Sequence, residues 1–217
     1  MTARPKPATE ARSAPDDDRR IEILSPEEVR QLLDLCSRRS PTGVRNRALI
    51  AVLYGAGLRI AEALALMPKD VDLDALSIRV HRGKGNKPRT CALLPASVEY
   101  VQRWLDKRTG LSINGRRSIF CTLTKGKVGD KETQPGQPLS SAYVRGWLSR
   151  LRSKARAAGQ TKRIHAHGFR HSHAHQLRKT GWDMHEIQKQ LGHGSLSVTG
   201  IYLDHIGAHE LYPAVSW

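Results

Sequence analysis

Hydrophobic residues recur at helical spacing along most of the chain. After Ser25, the side chains of Val29, Leu32 and Cys36 would share one face of a helix. That segment opens with a serine, a proline and two glutamates, an order typical of a helix N-terminus. The same spacing predicts further helices over about 44–55, 58–66, 96–108, 140–158, 167–180 and 183–191, with a short final pair near 196–202 and 207–215.

The hydrophobic period changes in the middle of the sequence. Residues 71–73 and 76–81 alternate between apolar and polar side chains, as half-buried strands do. A turn at 82–88 then leads into 89–94, which predicts a strand that pairs back. Residues 123–138 are rich in Gly, Lys and Pro and predict a long loop. The expected fold class is α+β: mainly α-helical, with one small antiparallel β-sheet.

Composition favours a globular protein of a reducing compartment. Hydrophobic residues make up 39% of the chain, and no stretch approaches the roughly 20 consecutive apolar residues of a membrane-spanning helix. The three cysteines are widely spaced and odd in number, which argues against a disulfide framework and favours a cytoplasmic location. Residues 1–20 hold almost nothing apolar and no core of a secretory signal, so we expect a disordered tail ahead of one folded domain at 21–217.

Positive charge is concentrated in one part of the sequence. The chain carries 36 Lys and Arg against 20 Asp and Glu, and between 133 and 182 ten basic residues occur without an acidic one. Such a field attracts polyphosphate backbones and releases their counterions on binding. We therefore expect double-stranded DNA as a partner and a nucleoid-associated location, with a merely solvated basic face as the alternative. The candidate DNA contacts are Arg145, Arg150, Arg152, Lys154, Arg156, Lys162 and Arg163.

Five short segments hold most of the reactive side chains. Arg59 and Glu62 are three residues apart in a predicted helix, so they would share one face of it. His167 and Arg170 repeat that spacing in a later helix. The other three segments place a lysine between two glycines, a histidine after a helix-ending glycine, and a tyrosine near the C-terminus: Lys84, His193 and Tyr202.

These residue types suit attack on a phosphodiester. Negative charge develops on the non-bridging oxygens in the transition state, and one guanidinium group can bind two of these oxygens at once. A tyrosine hydroxyl becomes a nucleophile once nearby cations and a base favour its ionised form, and a lysine or histidine can protonate the leaving oxygen. This chemistry requires no metal or other cofactor, so we expect none. His167, His171 and His175 could stack on one helix face and ligate zinc, but no Cys or carboxylate lies within that stretch to join them.

The order and spacing of the five segments resemble the tyrosine recombinases, the phage-integrase and Xer family. The family's motifs, approximately G-L-R-x-x-E, G-K-G-x-K, H-x-L-R-H, L-G-H and T-x-x-Y, all occur here in order, although Phe169 stands where the family usually has Leu. The resemblance covers about residues 22–205 and implies the tyrosine recombinase catalytic-domain fold. Family members commonly carry a helical core-binding domain in front of it. Only residues 1–20 precede it here, so we expect a short form that lacks this domain.

The resemblance also implies how the phosphate would be bound. Arg59 and Arg170 would clamp the scissile phosphate, and Glu62 would support Arg59 from behind. His193 would hydrogen-bond the same phosphate. All four residues stand at positions that match the family's motifs.

The remaining motif residues would carry the reaction. Lys84 would protonate the departing 5′ oxygen, His167 would act in proton transfer, and Tyr202 would attack to give a 3′-phosphotyrosyl link. The implied function is a site-specific DNA recombinase for integration, excision or inversion, working with other protomers in a synaptic tetramer on DNA and with accessory DNA-bending proteins in some systems. Two alternatives stay open: a non-enzymatic basic DNA-binding protein, and a DNA-relaxing enzyme of the type IB topoisomerase kind.

Overall fold

The computed structural model describes residues 22–81, 88–113, 117–128 and 131–192. Within these ranges the chain is mainly helical with short antiparallel strands, so the predicted α+β class is confirmed. Short 3-10 turns precede the first strand and the fourth helix. In chain order the elements are α1 (Pro26–Asp34), α2 (Pro41–Gly55), α3 (Ile60–Ala65), β1 (Val71–Asp72), β2 (Ser77–Val80), β3 (Arg89–Ala92), α4 (Val98–Gly110), β4 (Gly126–Val128), β5 (Lys131–Thr133), α5 (Ser141–Ala157), α6 (Ala166–Lys179) and α7 (Met184–Leu191).

Side-chain caps fix the starts of several helices. At α1 the Ser25 hydroxyl accepts from the Glu28 amide, and the Glu28 carboxylate accepts from the Ser25 amide at 2.7 Å. This is the reciprocal cap that the sequence predicted, and it satisfies amides that have no partner inside the helix. Side chains also accept from backbone amides at the starts of α2, α5, α6 and α7, and the last of these caps is reciprocal as well: Ser40, Ser140, His165 and Asp183. The predicted helices near 196–202 and 207–215 lie outside the described residues.

Helix α2 runs through the middle of the domain. Every residue from Gly43 to Gly55 is buried, because α3, α4 and α6 all pack against this helix. The helical spacing of its apolar residues predicted one buried face, and the burial extends to all faces. Two arginines of its first half are buried with it: Arg45 donates to the Cys121 carbonyl at 2.8 Å, and Arg47 donates to the Leu33 carbonyl at 2.5 Å. Backbone oxygens thus replace the water that these cations lose on burial.

The first sheet follows the predicted alternation. Its antiparallel order is β1-β2-β3, with Ile78 of β2 opposite Val71 of β1 and Cys91 of β3. Ile78, Val80 and Cys91 are buried on its inner face. Helix α7 packs against β3, so the end of that helix lies beside the strand.

A second sheet lies where the sequence predicted only a loop. Strands β4 and β5 pair antiparallel, with Gly126 opposite Thr133 and Val128 opposite Lys131. The prediction of a long loop at 123–138 was therefore wrong over these strands, and so was the expectation of a single sheet. Each strand has only three residues, and glycine- and lysine-rich strands this short carry too little hydrophobic alternation to be recognised.

Among the described residues, the buried apolar side chains form two clusters of unequal size. The larger surrounds α2 and includes Trp104, Phe120 and Phe169. The smaller joins α6 to α7 through Ala174, Leu177, Ile187 and Leu191. Hydrogen bonds connect the end of α7 to β3 and to the turn before α3.

The three cysteines are buried free thiols: Cys36, Cys91 and Cys121. Burial raises the pKa of Cys36 to about 11 and also raises the pKa values of the other two. Thiols held protonated in this way are poor nucleophiles. None of the described helices combines the length and the apolar character needed to cross a membrane.

Candidate active site

A buried carboxylate, Glu62, lies at the centre of a cluster of arginines. Its side chain is 4% exposed, and its Oε1 accepts a hydrogen bond from Arg59 Nη1 at 2.8 Å. Its Oε2 accepts from the Arg59 backbone amide at 3.0 Å. Arg59 is the N-cap of α3, with extended backbone, rather than a residue within the helix. Glu62 therefore holds both the main chain and the side chain of Arg59.

Arg89, the first residue of β3, binds the same carboxylate. Its Nη1 and Nη2 donate to Oε1 and Oε2 of Glu62 at 3.0 and 2.8 Å, a bidentate pair. Burial alone would raise the pKa of Glu62, but the hydrogen bonds from Arg89 and Arg59 outweigh it and hold that pKa below its ordinary value. The carboxylate is therefore ionised at neutral pH.

Arg170 of α6 reaches the cluster from beneath the surface. Its side chain is 1% exposed, and its Nη1 lies 4.0 Å from Glu62 Oε2. Nη1 donates to the Gly57 carbonyl at 2.7 Å, and Nη2 donates to the Leu191 carbonyl at 2.5 Å. In the structure this guanidinium joins the turn before α3 to the end of α7, and the contact with the scissile phosphate that the resemblance implies for it stays a prediction. Arg59, with 32% of its side chain exposed, is the more accessible arginine.

The end of α7 is fastened to β3. The Gln190 side chain accepts from the Ala92 amide and donates to the Ala92 carbonyl, both at 2.8 Å. The Gln190 carbonyl accepts from Arg89 Nε at 3.2 Å. Because two elements meet through these bonds, the position of α7 relative to the arginine cluster is set by β3.

Gly192 ends α7 in the left-handed conformation, with φ of 65°. Its carbonyl lies 3.4 Å from Arg59 Nη2. A Cβ at this position would come within 2.8 Å of Arg89 Nε. The chain therefore leaves α7 directly beside the two arginines, and the next residue is the predicted phosphate ligand His193.

His167 lies in the first turn of α6, one turn before Arg170. Its ring is exposed and contacts the His171 ring edge to face, with centroids 4.5 Å apart. Partial desolvation and the positive charges of Arg170, His165 and Arg59 lower the pKa of His167. The imidazole is consequently neutral at pH 7 and able to accept a proton.

The structure brings four of the predicted site residues into one region: Arg59, Glu62, His167 and Arg170. Three others lie outside the described residues: Lys84, His193 and Tyr202. Their connections along the chain are still informative. Lys84 belongs to the segment between β2 and β3, and both of the other residues follow Gly192.

The basic residues predicted to contact DNA lie on two flanks of α5. Arg145, Arg152 and Arg156, spaced by seven and four residues, share one exposed flank. Arg150 and Lys154 share the other, where they line a cavity of about 250 Å³ with Trp147 and Cys36. Arg152 of the first flank lies near the start of α6. Its charge contributes, after burial and the charge of Arg163, to lowering the pKa of His165, the cap of that helix.

The two basic residues after α5 hold the start of the domain. Lys162 Nζ donates to Glu28 Oε2 at 2.8 Å and to the Ile23 carbonyl at 2.6 Å. The Arg163 amide donates to the Glu22 carboxylate. A DNA contact by the Lys162 ammonium would therefore compete with these internal bonds, whereas the Arg163 bond is made by the backbone.

The histidines of α6 bear on the zinc hypothesis. In the part of the chain that the structure describes, no group of three or more His, Cys, Asp or Glu side chains is placed to hold a metal ion. His167 meets His171 ring to ring, and His173 is buried against Gln190, with 3.2 Å between His173 Nε2 and Gln190 Nε2.

Arg89 is the site residue that the sequence reasoning missed. Strand alternation puts Arg89 on the same face as Cys91 and Leu93, which are both buried. An arginine on an inward face needs buried acceptors for its guanidinium, and a carboxylate also balances its charge. That pattern could have directed attention to Glu62, the acidic residue in a predicted active-site segment.

Comparison with known sequences identifies related proteins. Residues 22–209 match the sequence profile of the phage integrase family. The tyrosine recombinase XerC of Salmonella typhi is 31% identical over 191 residues, covering 88% of this chain and 58% of that protein. The chain thus spans little more than half the length of this curated relative.

Solved structures with the same fold are also recombinases. The XerA recombinase superposes with a TM-score of 0.67 at 28% identity, covering 88% of this chain and 62% of that one. The XerH site-specific recombinase, bound to a palindromic difH substrate in a post-cleavage complex, gives a TM-score of 0.65 at 29% identity, covering 85% of this chain and 50% of that one.

Proposed function

The chain belongs to the phage integrase family, and we propose from this membership that it is a site-specific recombinase that cleaves and rejoins double-stranded DNA. The observation that carries the proposal is the cluster in which Arg59, Arg89 and Arg170 surround one carboxylate, Glu62. Three positive charges against one negative charge leave a net charge of about +2 beside an exposed, neutral histidine. Such preorganised positive charge stabilises the charge that develops on an attacked phosphate.

The proposed reaction exchanges one phosphate ester for another. Tyr202 attacks the scissile phosphate, a 3′-phosphotyrosyl bond forms, and the bond to the 5′ oxygen breaks. Lys84 gives a proton to that oxygen, and His167 takes part in moving the tyrosine proton. Since the new ester retains the energy of the broken one, the 5′ hydroxyl can attack it in the reverse sense and no ATP is needed.

The phosphate would be held by the two motif arginines and by His193. Arg59 donates to it directly, because its side chain is partly exposed. Arg170 would contribute its positive charge from its buried position, and its bonds to the Gly57 and Leu191 carbonyls would fix the two turns beside the phosphate. Neither role requires a metal ion.

The partners and the cellular setting are part of the same proposal. The exposed basic flanks of α5 support contact with DNA phosphates, and a synaptic tetramer with accessory DNA-bending proteins would organise the exchange. We propose residues 21–217 as the catalytic domain, with residues 1–20 as a tail, and a cytoplasmic, nucleoid-associated location.

The first experiment asks whether the protein forms a covalent adduct with DNA. The full chain would be incubated with a pool of nicked suicide duplexes whose sequence is randomised around the nick, and SDS-stable adducts would be counted on a gel. We expect adducts from the wild type and none from Tyr202→Phe, with Tyr212→Phe as the matched control that retains activity. Adducts of normal yield from Tyr202→Phe would contradict the assignment of the nucleophile.

Two further arms separate the competing functions. Adduct formation should continue in EDTA, because arginine, lysine and histidine side chains supply all of the charge stabilisation; dependence on added Mg²⁺ would contradict the mechanism. A non-enzymatic DNA-binding protein would give no adduct at all. A relaxing enzyme would give adducts and remove supercoils, but would not exchange strands between two sites of the selected sequence.

A further inference from the structure

We propose that Arg89 is a positioning residue for strand cleavage: through Glu62 it sets both the orientation of Arg59 and the net charge of the phosphate site. The inference rests on the proposed function, because it concerns the same site. Its basis is the sharing of one buried carboxylate between two arginines that differ in exposure. The Arg89 side chain is 12% exposed, whereas that of Arg59 is 32% exposed.

The division of hydrogen bonds leaves the Arg59 guanidinium only partly engaged. Arg89 donates to both oxygens of Glu62, at 3.0 and 2.8 Å. Arg59 donates from Nη1 to Oε1 alone, and its Nη2 lies 3.4 Å from the Gly192 carbonyl. Without Arg89, both carboxylate oxygens would be available to Arg59. Arginine prefers the bidentate geometry, so its guanidinium would turn toward Glu62 and away from the exposed side where a phosphate can approach.

The charge balance leads in the same direction. Glu62 is ionised and buried, and at short range its charge cancels that of one arginine. Arg89 supplies the cation that offsets it, so the charge of Arg59 remains available to a bound anion. Removing Arg89 would halve the net positive charge of the cluster.

Arg89 also joins the segments that lead to the other predicted reactive residues. It is the first residue of β3, immediately after the segment that contains Lys84. Its Nε donates to the Gln190 carbonyl at 3.2 Å, two residues before the glycine that leads to His193. One side chain is therefore bonded to α3 and to the end of α7, and its backbone anchors the hairpin.

The test compares Arg89→Gln and Arg89→Lys with the wild type, using the full chain and the pool of nicked suicide duplexes. The rate of adduct formation is measured at saturating DNA, and DNA affinity and melting temperature are measured in parallel. Arg38→Gln is the matched control, because it removes an arginine from an exposed pair with Asp34 at 2.7 Å in the turn after α1, outside the arginine cluster.

We expect Arg89→Gln to bind duplex DNA within about threefold of the wild type and to form adducts on the order of 10- to 100-fold more slowly, the loss typical of a misplaced active-site group. Arg89→Lys keeps the charge but not the fork, so its rate should lie between the two. If Arg89→Gln does not fold, the rate of Arg89→Lys decides the question. Arg38→Gln should match the wild type in rate.

A double-mutant cycle asks whether Arg89 acts through Glu62. If it does, the rate of Arg89→Gln combined with Glu62→Gln should be no slower than that of the slower single variant. A wild-type rate in either Arg89 variant, or rate losses that multiply in the double variant, would overturn the inference and leave the proposed function standing. Absence of any adduct from the wild type would instead overturn both.

Discussion

Gly57 is the residue of the active-site turn that can least be replaced. Its φ is +62°, a conformation that side chains disfavour, and a Cβ would come within 2.5 Å of the His173 ring. We expect Gly57→Ala to lower the free energy of unfolding by about 3 kcal/mol, from strain and overlap together. Gly181 is the matched control, because its φ is also positive and no heavy atom lies within 4 Å of a Cβ there. Gly181→Ala should cost only about 1–2 kcal/mol in denaturant unfolding; equal losses would contradict the role of the overlap.

His173 should make the stability of the domain depend on pH. Burial, with a smaller effect of the Arg170 charge, lowers the pKa of His173 to about 4. In the unfolded chain a histidine takes up a proton near pH 6.5. Between pH 6.5 and 4 the unfolded state therefore binds more protons than the folded state. The contribution of this neutral histidine to the free energy of unfolding is present above pH 6.5 and is lost as the pH falls toward 4. The loss amounts to roughly 3 kcal/mol.

The pH effect can be assigned by substitution. His173→Asn should flatten the fall of melting temperature between pH 6.5 and 5, because the titrating group is gone. His185→Asn, at an exposed position of α7, should leave that slope unchanged. A part of the pH dependence should remain, because the pKa values of His165 and His167 are also lowered. An unchanged slope in His173→Asn would show that the group does not titrate as its burial indicates.

The sequence predicted which residues carry reactive groups, but it predicted few of the contacts between residues that are distant in the chain. The spacing of Arg59 and Glu62 indicated that they would meet, and they do so at 2.8 Å. The burial of Arg170 against two carbonyls could not be predicted, because Gly57 and Leu191 approach it only once α3, α6 and α7 have packed. The partnership of Arg89 with Glu62 likewise joins residues that are 27 positions apart in the chain.

Helix α5 offers two basic flanks, and Arg152 of one of them lies near the start of α6, the helix that carries two of the predicted site residues. We expect Arg145→Gln with Arg152→Gln to weaken DNA binding more than Arg150→Gln with Lys154→Gln. Both double variants remove two positive charges from the same helix, so they control for net charge. The slope of log affinity against log salt should fall by about 2 in the first pair, if each arginine meets one phosphate.

Fluorescence anisotropy with a random-sequence duplex over a salt series gives these slopes. Equal losses from the two pairs would mean that binding follows total charge rather than one flank. A larger loss from Arg150 and Lys154 would place the DNA on the side of the α1–α2 turn. Unchanged melting temperatures are expected throughout, since all four side chains are exposed.

Among the elements, helices were predictable because each carries its own signals. Ser25 and Asp183 begin helices with a capping serine or aspartate followed by glutamate at the third helical position, and both caps form. The strands β4 and β5 were not predictable, because they form a two-stranded sheet of three residues each and their sequences lack a regular apolar alternation. The full burial of α2 has a local signal in the unbroken apolar run at 48–54, because a helix that is apolar on all sides is usually buried, but the burial of Arg45 and Arg47 has none.

The domain as a whole should open in two steps. Its large apolar cluster surrounds α2, whereas α7 is held by a cluster of four buried side chains and by the bonds of Gln190. Segments with few buried contacts open at lower free energy than the core. We expect the amides of α7 to exchange with deuterium faster than those of α2. Leu177→Ala should raise the exchange rate of the α7 amides and leave that of the α2 amides unchanged. Equal protection of both helices would indicate a single cooperative unit.

The shared carboxylate has a consequence for how such a chain can evolve. Loss of Glu62 alone leaves the nearly buried charge of Arg89 without its carboxylate, at a cost of about 3–5 kcal/mol. Loss of Arg89 alone leaves Glu62 to pair with Arg59, which withdraws that arginine from the phosphate site. A lineage that changes one of these residues must therefore pass through a destabilised or less active ancestor, or change both within a few generations. Across related sequences the identities at positions 62 and 89 should co-vary, with a neutral residue at one accompanied by a neutral residue at the other. An alignment in which the two positions vary independently would show that other side chains can take over the pairing.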